Sequence, residues 1–308
     1  MSDFFNNGWS IFIAAATLLG LAACLWLLVV ASRRKAIIGP HGDDGSTGHV
    51  WDVDLKEMNN PLPRWWMILF VLTVLFSVAY LVVYPGLGNA AGSFGWTSAG
   101  QYQAEQKQAR AAMAPVYAKY AAMPAQALVK ERGAMAIGER LFINNCATCH
   151  GSDAKGSKGF PNLADGDWLY GGAPEKIEET ITLGRQGAMP PLAAAVGTAD
   201  EVRNVANYTL SLSGSPHNSI AAQLGRSKFV VCAACHGVDG KGNQALGAPN
   251  LTDRIWLHGW GEDLIVAMVN NGKTNMMPAQ QGRLSAEQIH VLAAYVWSLS
   301  QPGALAVR

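Results

Sequence analysis

Charge is scarce in this 308-residue chain: Asp, Glu, Lys and Arg make up 15% of it, against 50% hydrophobic residues. No charged residue stands between Trp9 and Ala31, nor between Trp65 and Tyr84. Each run is long enough to cross a bilayer as a helix. Lys and Arg are absent from the first eight residues. The first run therefore lacks the basic leader of a cleaved signal peptide, and it is longer than such a peptide's apolar part. A net charge of +1 leaves no electrostatic footprint for nucleic acid. Cysteine is sparse too, with five in all, so no disulfide framework is expected.

Four of those cysteines stand in two copies of one signature. Cys146-Ala-Thr-Cys149-His150 and Cys232-Ala-Ala-Cys235-His236 both read CxxCH. In this motif two thiols on one turn form thioethers with haem vinyl groups, and the following His faces the iron. The fifth, Cys24, follows Leu21-Ala-Ala and resembles a lipoprotein cleavage site. The residues after it stay apolar and then turn basic, which fits an ordinary membrane-helix residue.

The signatures sit in a longer repeat. Pro161-Asn162-Leu163 with Trp168 follows the first, and Pro249-Asn250-Leu251 with Trp256 follows the second. Met189-Pro190 and Met277-Pro278 come next, each 21 residues after its Trp (189 − 168; 277 − 256). The repeat of about 88 residues (256 − 168) has the size of a small complete domain. Met189 and Met277 are the expected sixth ligands, paired in repeat order with His150 and His236, since Met is the usual partner of His in electron-transfer cytochromes c. Pro after each Met fixes the ligand loop. Trp168 and Trp256 are candidate haem contacts through their indole N–H, the alternative being ordinary core tryptophans. Arg185 and Lys273 occupy matching positions and are candidate propionate partners, the alternative being solvated surface charges. His41, His49, His217, His258 and His290 lack repeat counterparts and are expected to be surface or structural. With His and Met closing both irons, the units are expected to transfer electrons rather than bind substrate, at similar potentials.

Arg33, Arg34, Lys35, Lys56 and Arg64 all fall between the two apolar runs. The positive-inside rule then places residues 32–64 in the cytoplasm and both termini outside, where bacterial c-type haem is attached. The expected organisation is a membrane helix at 1–31 with a short periplasmic N-terminus, a connector at 32–64 holding a Gly-rich stretch at 42–48, and a second membrane helix at 65–84. A periplasmic tether at 85–136 follows, with a helix over 101–112 and interruptions at Pro115 and Pro124. Cytochrome units at 137–214 and 215–308 complete the chain. Periodicity predicts helices at 138–145, 174–183, 200–212, 220–231, 262–270 and 285–299, with Ser285 and Gln288 as a capping box. The fold class is all-α: two transmembrane helices, then two tandem class I cytochrome c domains. Residues 137–214 carry −3 (six basic, nine acidic) and 215–308 carry +2 (seven basic, five acidic). So small an excess is ordinarily a matter of solubility.

Gly48-His-Val-Trp-Asp52, Asn60-Pro-Leu-Pro-Arg-Trp-Trp66 and Tyr84-Pro-Gly-Leu-Gly88, together with the two haem units, resemble the dihaem cytochrome c subunit (subunit III) of cbb3-type cytochrome c oxidase over nearly the whole chain. The resemblance implies two covalently bound c-type haems in a bacterial inner-membrane complex. It also implies transfer from a donor cytochrome c to a monohaem cytochrome c subunit and then to a catalytic haem–copper subunit, which reduces oxygen and pumps protons. Its ligand positions here are His150 with Met189 and His236 with Met277, with thioethers at Cys146, Cys149, Cys232 and Cys235. The chain itself would not be the catalyst. A dihaem peroxidase and a haem-based sensor are the rival classes: the first needs a sixth position that opens, the second a readily displaced Met. A cytochrome subunit of an alcohol or aldehyde dehydrogenase is a nearer relative in function, but usually carries three CxxCH motifs, and this chain has two.

Overall fold

A computed structural model describes residues 6–33, 45–58 and 60–301. Arg34, Lys35, His41 and the start of the Gly-rich stretch lie outside the described residues. The chain divides into two compact units, Met1–Ala111 and Ala112–Arg308.

The first unit holds two long apolar helices, α1 (Asn7–Ser32) and α2 (Arg64–Val83). At 1.5 Å per residue they measure about 39 and 30 Å, enough to span the ~30 Å hydrocarbon layer. Asn6 starts α1 by accepting from the backbone N–H of Gly8 and Trp9. Their side chains are apolar all round and mostly exposed, the pattern of helices whose solvent is lipid. The start of α1 meets the segment after α2. The backbone N–H of Asn89 donates to Ser10 Oγ at 2.8 Å, and Gly88 (φ +58°) lies against the Ser10 backbone where a Cβ has no room. The two helices therefore form an antiparallel hairpin. The connector contains an antiparallel β-hairpin that periodicity did not foresee, β1 (Ser46–Trp51) with β2 (Leu55–Met58).

Helix α3 (Ser98–Ala121) straddles the two units and is longer than expected. It runs through Pro115. That stretch is exposed, so the Ala111 carbonyl that Pro cannot bond is not buried. Its end docks on the second unit's core through Tyr117 and Tyr120, together with Leu128 of α4 (Ala125–Leu128), Val291 and Ala294. The tether thus packs on its own chain.

The second unit contains both CxxCH segments. The first half reads α5 (Arg132–Asn145), α6 (Ala147–His150), α7 (Pro174–Leu183), β3 (Arg185–Met189), α8 (Ala193–Val196) and α9 (Ala199–Leu212). The second reads α10 (Ser219–Gly225), a 3₁₀ turn (Arg226–Phe229), α11 (Val230–His236), α12 (Glu262–Asn271), β4 (Lys273–Met277) and α13 (Ala286–Leu299). Both closing helices begin with complete capping boxes, Thr198/Glu201 and Ser285/Gln288.

The two tandem cytochrome units do not close on themselves. Helix α5 of the first crosses α13 of the second, Gly138 lying where a Cβ would stand 2.5 Å from the Tyr295 Cβ. Likewise α10 crosses α9, with Gly225 against the Asn204 backbone. One core gathers Phe142, Ile177, Ile181, Leu292, Val296 and Leu299. The other gathers Val202, Val205, Leu210, Phe229, Ile265 and Val269. The backbone bonds repeat the exchange: Gln280 N–H donates to Ile181 O at 2.9 Å, and Leu192 N–H to Val269 O at 2.8 Å. The chain crosses between lobes at a two-stranded antiparallel ribbon, β3 on β4, centred on Gly187 opposite Asn275. Gly184 (φ +72°) and Gly272 (φ +69°) open the two strands. Each lies against the other strand's methionine carbonyl, where only glycine fits.

Candidate functional site

Each CxxCH segment sits on a short helical turn that ends at a glycine of positive φ, Gly151 or Gly237. The first cysteine of each pair faces the core and the second faces solvent: Cys149 and Cys235 are exposed, Cys146 half-buried and Cys232 buried. Burial pushes the Cys146 thiol up to about 11, with Cys149 beside it adding to the effect. Burial raises Cys232 as well.

His150 and His236 are buried. His150 Nδ1 lies 3.0 Å from the Pro161 carbonyl, and His236 Nδ1 lies 3.0 Å from the Pro249 carbonyl. A carbonyl only accepts, so Nδ1 carries the proton and Nε2 keeps a free lone pair in a neutral ring. Burial also lowers the His150 pKa, with the Pro161 bond opposing it. Sequence reasoning found these prolines only as landmarks. Their position after each CxxCH was the signal, and their carbonyls orient the imidazoles.

The methionines are sorted differently from repeat order. Met277 packs on the core that holds Cys146, Ala147, Leu163 and Trp168. Met189 packs on the core that holds Cys232, Ala233, Leu251 and Trp256. The pairing expected from chain order, His150 with Met189 and His236 with Met277, would join residues that pack on different cores. Periodicity cannot see an exchange between two copies of one pattern, since either closure buries the same faces.

The other matched residues are not equivalent. Arg185 Nη1 donates to Glu179 Oε1 and its Nε to Thr180 Oγ1, both at 2.9 Å. Its guanidinium lies 4.9 Å from the Tyr170 ring centre. These partners hold the Arg185 head against α7. Lys273 is exposed and acts on His258, the repeat counterpart of Tyr170 (258 − 88). Burial, then Lys273 and Lys158, hold that His below its usual pKa. The indole N–H of Trp256 is buried with no hydrogen-bond partner, an orphan donor that fits an acceptor arriving with a ligand. Two free imidazole nitrogens, two exposed thiols, a thioether in each core and an orphaned donor together fit covalently attached haem. Among the described residues no group of three or more His, Cys, Asp or Glu converges for a separate metal ion.

The lobes meet around these loops. Gly159 N–H donates to Leu257 O at 2.7 Å, and Gln244 Nε2 to Trp168 O at 3.0 Å. Asp167 is raised above the usual carboxylate range by burial and by the neighbouring Asp253 and Asp165, which places the two Trp-bearing loops close together.

The family model for the N-terminal domain of cytochrome oxidase-cbb3, FixP, matches residues 43–91. The model for cytochrome c oxidase, cbb3-type, subunit III, matches twice, at 133–208 and 223–296. The chain is 64% identical over 308 residues to the cbb3-type cytochrome c oxidase subunit CcoP of Rubrivivax gelatinosus, covering all of both chains. It is 41% identical over 273 residues to the FixP subunit of Bradyrhizobium diazoefficiens, covering 82% of this chain and 94% of that one. It is 40% identical over 276 residues to the FixP subunit of Azorhizobium caulinodans, covering 84% and 94%. The chain therefore belongs to the CcoP/FixP family, subunit III of cbb3-type cytochrome c oxidase, a membrane-anchored cytochrome with two covalently bound c-type haems.

Proposed function

We propose that this subunit relays electrons from a donor cytochrome c to the monohaem cytochrome c subunit and so to the catalytic haem–copper subunit, without itself reducing oxygen. The observation that carries the reading is the pair of matched His and Met side chains, one of each in each core. Cys146 and Cys149 hold one haem by thioether bonds, Cys232 and Cys235 the other. The ribbon crossing favours Met277 as the partner of His150 and Met189 as the partner of His236. Bound at both sites, haem supplies one-electron exchange between ferric and ferrous iron.

The chain's own residues keep that exchange free of side chemistry. The carbonyls of Pro161 and Pro249 fix the histidine tautomers. The Met of each core would be the second iron ligand, and a haem so held would lack the open position that a peroxidase needs. Trp168 and Trp256, one packed on each core, would line the haems.

The haem units and both termini lie on the periplasmic side of the inner membrane, and the β1–β2 hairpin lies in the cytoplasm. The basic residues between α1 and α2 support this topology. The Ser10–Asn89 contact brings the start of α1 and the segment after α2 together, which fits their lying on one side.

The test is mild-detergent purification through a tag on this chain. Co-purification of b-type haem, copper and cytochrome c oxidase activity is the expected result. A chain that emerges alone, binding CO or turning over peroxide, would overturn it.

A further inference from the structure

Beside the second CxxCH unit lies a cleft of about 610 Å³ lined by Gly214, Ser215, Pro216, His217, Arg254, Trp256 and Trp260. Three features of this cleft converge. The Trp256 indole N–H is a buried donor with no partner. Arg254 lines the same cleft, is exposed, and makes no ion pair with a described residue. A Cβ built on Gly214 would stand 3.9 Å from Arg254 Nη2, ordinary contact distance, so the guanidinium lies beside the Gly214 turn that lines the cleft. A buried neutral donor beside an uncompensated fork of N–H groups is a receptor for a carboxylate.

The first unit is built otherwise. Trp168 answers to Trp256, but the residue two before it is Gly166, where Trp256 has Arg254. A Cβ on Gly166 would meet nothing within 4 Å. Arg185, the nearest arginine in sequence, is engaged by Glu179, Thr180 and Tyr170. Among the described residues the second site thus carries a cation two residues before its Trp, where the first has glycine.

We propose that Arg254 is a positioning residue for the second haem: with Trp256 it receives a haem carboxylate, and its charge makes the two sites unequal, raising the reduction potential of the second. The proposal rests on reading the CxxCH segments as haem sites. Ferric haem carries one more positive charge than ferrous, so a nearby cation disfavours oxidation. The effect is moderated because Arg254 is exposed and screened. A roughly three- to tenfold change in the redox equilibrium follows, or ~30 to ~60 mV for one electron.

The test is a potentiometric titration of the full-length, detergent-solubilised dihaem chain. It is run in a Cys235→Ala background, where the unreacted vinyl of the second haem shifts its absorption band and labels it. The variants are Arg254→Gln, Arg254→Lys and, as an exposed control, Arg283→Gln. The expected result is that Arg254→Gln lowers the labelled midpoint by that amount and leaves the unlabelled one in place. Arg254→Lys restores most of the shift, and Arg283→Gln changes neither. An unchanged labelled midpoint overturns the proposal, as does an equal fall in both. A shift seen only with added phosphate or acetate also overturns it, because the cleft would then hold a free anion. A parent chain, with Cys235 intact, that carries fewer than two covalently bound haems means that the haem reading of the segment has failed, a separate outcome.

Discussion

Arg185 and Met277 stand opposite one another on the β3–β4 ribbon, as Lys273 and Met189 do at its other end. Both methionines thus sit on one small element between two cores, and each belongs to the core that the other half of the repeat began. The crossing at the ribbon sets which core each Met packs on.

The first prediction follows from that exchange. Met277→Ala opens the sixth position of the haem at Cys146 and Cys149, and Met189→Ala that of the haem at Cys232 and Cys235. In the Cys235→Ala background, ferrous Met189→Ala binds CO at the labelled haem and Met277→Ala at the unlabelled one. The reverse assignment restores pairing in repeat order.

The ribbon also depends on its glycines. Gly272→Ala places a Cβ 2.6 Å from the Met189 carbonyl at φ +69°, where an L side chain is strained. A loss of about 1–3 kcal/mol is expected by denaturant titration. Gly166→Ala, in open space, stays within about 0.5 kcal/mol of the parent.

Helix crossing gives a third prediction. Gly138→Val forces bulk against Tyr295 on α13 and cannot be absorbed by a flexible side-chain tip, because the contact is at Cβ. The expected cost is about 1–3 kcal/mol or more. It is read as a lowered melting temperature with early loss of axial ligation at the haem that Cys146 would hold, which stays on the chain, since Phe142 and Cys146 share that core.

His290 gives a pH dependence. Its Nδ1 lies 2.9 Å from Glu178 Oε2 on α7, and its Nε2 lies 2.9 Å from the Met123 carbonyl. Both partners only accept, so the doubly protonated ring suits them best. Burial lowers its pKa, but Glu178 and the Met123 carbonyl outweigh burial and leave it raised. A raised folded value means that the stabilisation is fully present below the unfolded value of about 6.5 and is lost as pH rises through the folded one. Thermal melts from pH 6 to 8 should show this decline in the parent and a flatter profile in His290→Gln.

Much of the architecture was legible in the sequence. The charge-free runs became α1 and α2, and the repeat landmarks located α7, α9, α12 and α13 within a residue or two. The Ser285/Gln288 capping box formed as its side chains dictate. Partner choice between the two copies was not legible. The faces of α9 and α13 are chemically alike, so apolar periodicity is satisfied by either closure, and the exchanged one shows only in three-dimensional contacts such as Gly184 on the Met277 carbonyl and Gly272 on the Met189 carbonyl. Inequality of the sites was hidden for a related reason. The landmarks match, and the difference lies in residues beside them, Arg254 against Gly166 and His258 against Tyr170.

The most direct test of the relay is stopped-flow reduction of the purified oxidase complex carrying Met277→His or Met189→His, which exchanges a potential-raising thioether for imidazole. With reduced donor cytochrome c, the account predicts that oxygen turnover falls in step with the lowered haem. A small-molecule reductant that delivers electrons past this subunit should restore it. Undiminished turnover with the donor cytochrome would contradict the account, because electrons would then be reaching the catalytic subunit by a route that avoids this chain.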